Sequence, residues 1–157
     1  MPLLVSWKKR WEARRLKWGL IGVGPPSEDS PKIHTELKKA ESSVLTQIRT
    51  GRNGLAAFLN RARVPEFPSP MCQCGQAEET ARHVIAYCSR FTEQRRDLAT
   101  GRPNIHELVG TAKGAKRLAR WFLRLRIWPQ FNYAEELLRE EEVVEEEEES
   151  GASRLAG

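Results

Sequence analysis

All three cysteines of the chain and one of its three histidines fall within seventeen residues: Cys72, Cys74, His83 and Cys88, spaced C-x-C-G-x7-H-x4-C. Three thiolates and an imidazole are the usual donors of a closed, tetrahedral structural zinc site. The single-residue spacer departs from the commoner C-x-x-C first half. Gly75 follows Cys74 and can take the positive φ that turns the chain sharply behind the pair. Thr80 suits a helix N-cap, which puts His83 in the first turn of a helix. His83 and Cys88 are five apart, and on a continuous helix they would point about 140° away from each other. The helix is therefore expected to end before Cys88, near Ser89. Four protein donors leave a metal no open position, so such a site builds structure and hydrolyses nothing. Two readings compete: simple packing of small buried thiols, and a redox pair of Cys72 and Cys74, which needs an accessible thiolate of low pKa. A Cys72–Cys74 disulfide would close a strained ring and leave the third thiol over.

These residues sit in a chain of 157 with 39% apolar and 30% charged residues. A core that modest gains from a metal staple. No apolar run reaches membrane-spanning length, and the start Met1-Pro2-Leu3-Leu4-Val5 lacks the basic opening of a signal peptide. Unpaired cysteines then suit a reducing compartment, cytoplasmic or nuclear. The net charge of +5 hides an asymmetry. Of the 26 basic and 21 acidic residues, Arg139, Arg154 and ten glutamates lie beyond residue 134, which leaves 24 basic against 11 acidic before it. A balance of that sign points to a polyanion partner, most naturally RNA or DNA. The plainer reading is a basic face kept for solubility.

The elements follow from periodicity. Trp7, Trp11 and Trp18 share a helical face among lysines and arginines, either to pack or to stack on bases. Gly22 to Pro31 reads as a linker. A helix is predicted over 34–49 from Leu37, Ala40, Val44, Leu45 and Ile48, and a short one over 55–59. Three X-Pro steps between Val64 and Pro70 make a stiff strap, anchored by Val64 and Phe67, that delivers the chain to Cys72. A short helix is predicted over 91–98, with another capped by Asn104. The strongest helix runs over 111–128 and ends at Pro129. Its apolar face is Ala115, Leu118, Ala119, Phe122 and Leu125, with Trp121 on the border. Lys113, Lys116, Arg117, Arg120 and Arg124 form its basic face. The glutamate run after 135 reads as a solvated, fraying helix or a disordered tail; a sharper reading folds it over that basic face. His34 and His106 are given no ligand role. The expected architecture is mainly α, with low-order termini. A basic, aromatic arm and linker over 1–30 precede a helical zinc-knuckle domain over 31–134, and an acidic tail over 135–157 follows.

Read in order, Val44-Leu-Thr-Gln-Ile-Arg-Thr-Gly51, Gly54-Leu-Ala-Ala-Phe-Leu59, Arg63-Val-Pro65, Phe67-Pro-Ser-Pro70, Cys72-Gln-Cys-Gly75, Glu79-Thr80, His83, Cys88, Ala119-Arg-Trp121 and Pro129-Gln-Phe131 resemble one family. The string is similar to the region after the ribonuclease H domain in the polyproteins of fungal LINE-like (Tad-type) non-LTR retrotransposons, over about residues 30–135. The resemblance implies a C-terminal zinc knuckle that helps a reverse transcriptase hold RNA or DNA, with Cys72, Cys74, His83 and Cys88 as the zinc ligands. The glutamate tail and Asn53 depart from it.

The chain has only two aspartates, Asp29 and Asp97, and no aromatic-x-Asp-Asp sequence. Two-metal chemistry needs clustered carboxylates. The reading is thus a non-catalytic, zinc-binding, nucleic-acid-binding module without a small-molecule substrate, belonging to a polyprotein that is itself an enzyme. Phosphates would be held by Arg61, Arg63 and Arg82 near the knuckle and by the basic face over 113–124, with little sequence preference. The alternatives are a zinc-stapled protein-interaction module and a non-functional remnant of an element.

Overall fold

The computed structural model describes residues 2–18 and 28–155. Most of the linker expected over 22–31 lies outside the described residues. The first helix, α1 (Pro2–Trp18), stacks Trp7 on Trp11 one turn apart, with ring centroids 5.8 Å from each other. A 3-10 turn over Ser30–His34 precedes α2 (Lys39–Thr50). This helix begins five residues later than its apolar period predicts. Lys38 is extended, and its backbone N–H donates to the Glu41 carboxylate at 2.8 Å, which fixes the start there. Gly51, at φ +68°, closes α2 in the left-handed conformation that glycine adopts without a steric penalty.

Asn53 has a structural role. It is buried, and its side-chain oxygen accepts the Leu55 backbone N–H at 3.0 Å. That Asx turn leads into α3 (Ala56–Arg61), so no hairpin forms at Asn53-Gly54. The proline strap follows, with Val64 and Phe67 half-buried as expected of anchors. The Asn60 amide donates to the Phe67 carbonyl at 2.9 Å and ties the strap back to α3.

After the cysteine-bearing loop come α4 (Ala81–Ala86) and two 3-10 turns, Ser89–Phe91 and Gln94–Asp97, in place of the single helix expected over 91–98. Next are α5 (Ile105–Gly110), capped by Asn104 as its sequence suggests, and α6 (Ala112–Arg124). Gly114 lets these two helices meet: a Cβ there would lie 2.5 Å from the Glu107 carbonyl oxygen and 2.9 Å from the Leu108 Cα. α6 packs against α2, α5 and the last helix, α7 (Asn132–Leu155). It buries Leu118, Ala119, Trp121, Phe122 and Leu123. Trp121 does more than border the two faces, because its indole N–H donates to the Gln94 carbonyl at 2.7 Å.

α6 stops at Arg124, short of the 128 expected. Arg126, at φ +53°, reverses the chain and folds Trp128 back onto Phe122, with centroids 4.4 Å apart. Among the described residues the fold is mainly helical; its β content is a lone bridge between Met71 and Glu78. None of its helices is long and apolar enough to cross a membrane.

Candidate metal centre

The loop that carries the cysteines is shaped by a few backbone bonds. The Cys72 N–H donates to the Ala77 carbonyl at 2.8 Å, and the Glu79 N–H to the Pro70 carbonyl at 2.9 Å. Between them Gly75 takes φ +75°, the sharp turn expected of it. Cys72 therefore faces inward and is buried, while Cys74 is half-buried. The Thr80 hydroxyl caps α4 by accepting the His83 N–H at 3.1 Å. α4 then ends before Cys88. The His83 carbonyl accepts N–H groups from both Tyr87 and Cys88, at 2.9 and 2.8 Å, and the extended Cys88 turns its sulfur back inward.

The donor atoms of Cys72, Cys74, His83 and Cys88 lie within 4.8 Å of one another and could hold a metal ion. Zinc bound by thiolates at about 2.3 Å has sulfur–sulfur edges of about 3.8 Å in a tetrahedron. Cys72 Sγ and Cys88 Sγ are 3.7 Å apart, and Cys74 Sγ is 3.2 Å from His83 Nε2. The donor set thus fits a closed tetrahedral site. All three thiols are free; a disulfide would need its sulfurs at about 2.05 Å.

The electrostatics suit that use. The Gln76 backbone N–H, 3.5 Å from Cys74 Sγ, lowers the Cys74 pKa. Burial lowers that of His83, which favours the neutral ligand form of the imidazole. Burial first, and then the neighbouring Cys72 and Cys74 thiols, push the Cys88 thiol up to about 11, so without a cation its ionisation is disfavoured. Three thiolates around a divalent ion leave one net negative charge, and a guanidinium stands beside it. Arg90 Nη1 is 3.7 Å from Cys72 Sγ and 3.2 Å from Glu79 Oε1. Glu79 in turn accepts the Ala56 N–H at 2.9 Å, which couples the loop to α3. Arg95 binds the carbonyls of Ile85 (2.8 Å) and Cys88 (2.6 Å), capping the C-terminal end of α4. Neither arginine carries a motif signal; only their closeness in sequence to Cys88 hints at the part they play.

The basic residues singled out from sequence are scattered by comparison. Arg61, Arg63 and Arg82 are exposed, and Arg63 sits in the strap at φ +61°. On α6, Lys113 is exposed and Lys116 half-buried, and neither has an ion-pair partner among the described residues. Arg117 donates to the Leu98 carbonyl. Arg120 binds the fully buried Glu41 at 2.6 Å and Glu142 at 2.6 Å, and Arg124 binds Glu142 at 3.0 Å. The glutamate run is thus helical and its near half lies against α6, with further pairs from Lys38 to Glu141 and from Arg126 to Glu135 and Glu136.

The chain has a distant relative among known proteins. Over 138 residues it is 29% identical to a retrovirus-related Pol polyprotein from the type-1 retrotransposable element R1 of Popillia japonica, covering 87% of this chain and 51% of that protein. The chain spans about half the length of the curated relative it matches. The similarity supports a retrotransposon-related origin. No family model and no solved structure matches the chain.

Proposed function

We propose that the chain is the zinc-knuckle module from the C-terminal region of a LINE-like non-LTR retrotransposon polyprotein, of the Tad type known from fungi. It binds single- or double-stranded nucleic acid without catalysing a reaction. The observation that carries this reading is the gathering of three thiols and one imidazole within 4.8 Å. The likeness to a retrotransposon Pol polyprotein supports it. Zinc, when bound, supplies structure: it fixes residues 72–88 and gives α3 and α4 a firm platform. Arg61, Arg63, Arg82, Lys113 and Lys116 offer phosphate contacts directly. Arg117, Arg120 and Arg124 are engaged within the fold; as α7 gives way Arg124 is released and Arg120 loses its Glu142 contact while keeping its pair with Glu41.

A salt titration tests this. The zinc-loaded protein should bind mixed-sequence RNA and DNA probes at about 50 mM salt. The observed affinity should fall with a log–log slope of several units as salt rises. Failure to bind any probe at that salt would favour the protein-interaction alternative.

A further inference from the structure

Tyr87 is the residue beside the knuckle that the fold leaves unexplained. Its neighbours Ala86 and Cys88 are buried, yet its own side chain is 44% exposed at the C-terminal end of α4. A large aromatic ring held in water forgoes the burial that stabilises such side chains elsewhere in the core. The ring forms one wall of an open groove of about 390 Å³, within the size range of small-molecule sites. Gln76, Glu78 and the exposed Arg82 line the same groove. Arg102 lies over one face of the Tyr87 ring, its guanidinium carbon 5.0 Å from the centroid. The groove's other wall includes His83, whose Nε2 reaches Cys74, so the cysteine–histidine cluster borders the groove.

We propose that this groove is a nucleobase pocket, in which one unpaired base of a single-stranded nucleic acid stacks on Tyr87. The inference rests on the function proposed above and gives it a specific contact. A flat aromatic wall suits the π-face of any base, because stacking is tolerant of sequence. Arg82 and Arg102 supply positive charge for the flanking phosphates, the complementarity that selects a nucleotide over an apolar peptide. Gln76 offers both donors and an acceptor, and Glu78 offers acceptors, to the edge of the base. The site takes RNA and DNA alike through this shared chemistry, and separate probes distinguish them.

The test uses the full zinc-loaded chain with 12-residue single strands of RNA or DNA that carry one 5-iodopyrimidine, and with a matched duplex. Photocrosslinks should map to Tyr87 in the wild-type protein. Tyr87→Ala should weaken single-strand binding about 10-fold, as loss of one stacked base does, and Tyr87→Phe should bind like wild type. Unchanged metal content in Tyr87→Ala shows that the loss is local, and the wild-type crosslink stands whether or not that variant folds. Crosslinks confined to other residues, equal affinity of a folded Tyr87→Ala, or binding of duplex alone overturns the pocket while leaving the proposed function intact. If neither strand type nor the duplex binds, the pocket and the proposed function fail together.

Discussion

Of the ten residues from Met71 to Thr80 only Cys72 is buried, whereas α6 buries seven of its thirteen. The loop has one bridge, one left-handed glycine and no regular element. α6 has an apolar face against α2, α5 and α7, and a polar edge tied to Glu41 and Glu142. The helical seam can hold its shape by removing apolar surface from water. The loop has little such surface to bury, so its conformation must come from side chains that converge on one point. The two regions therefore should respond to different insults.

The largest effect is expected from Cys88→Ser. It should lower metal affinity drastically and withdraw a contribution of order 10 kcal/mol from the order of residues 72–88. Hydrogen exchange should show the loop over 71–80 losing protection while α2 and α6 keep theirs. Loss of protection everywhere at once would merge the two regions into one cooperative unit and break the comparison. Phe122→Ala should cost about 3–5 kcal/mol in the core and leave the metal stoichiometry unchanged, as a denaturation curve beside elemental analysis would report. Arg120→Ala strands the buried Glu41 carboxylate and should cost about 3 kcal/mol. A cost near zero would mean that the Lys38 backbone N–H alone satisfies Glu41.

Milder changes sharpen the seam. Deleting 140–157 removes Glu141 and Glu142 from the basic face, and nucleic-acid affinity at low salt should rise several-fold. Unchanged affinity would show that Arg120 and Arg124 are not part of the interface. The smallest effect concerns His34, which is bonded to Ser42 at 2.7 Å. Burial, and then Arg49, lower its pKa below the ordinary 6.5. The unfolded chain thus takes up this proton before the folded one. His34 favours folding fully above pH 6.5, and that contribution is lost as the pH drops toward its folded-state pKa. An NMR titration should find its midpoint below 6.5.

The knuckle was legible in sequence because its signals are local. Gly75, the Thr80 cap and the five-residue step from His83 to Cys88 each dictate a backbone event within a few residues, and the structure contains each of them. Helix positions came from periodicity, but ends depended on partners that periodicity does not see. α2 starts late because Glu41 reaches back to Lys38, and α6 stops early because Arg126 turns the chain and seats Trp128 on Phe122. The glutamate run was the least legible part. A like-charge segment reads as solvated until its partners are known; the sharper reading, that it folds over the basic face, is the one its near half follows, through Glu142 on Arg120 and Arg124. The roles of Arg90 and Arg95 and the exposure of Tyr87 depend on distances across the fold, which spacing alone does not encode.

X-ray absorption at the zinc edge, on protein whose metal content per chain has been measured, tests the ligand set most directly. One zinc per chain with a first shell of three sulfurs at about 2.3 Å and one nitrogen at about 2.0 Å is the expected result. A chain that purifies and folds without stoichiometric metal, or a shell of oxygens and nitrogens alone, would contradict it.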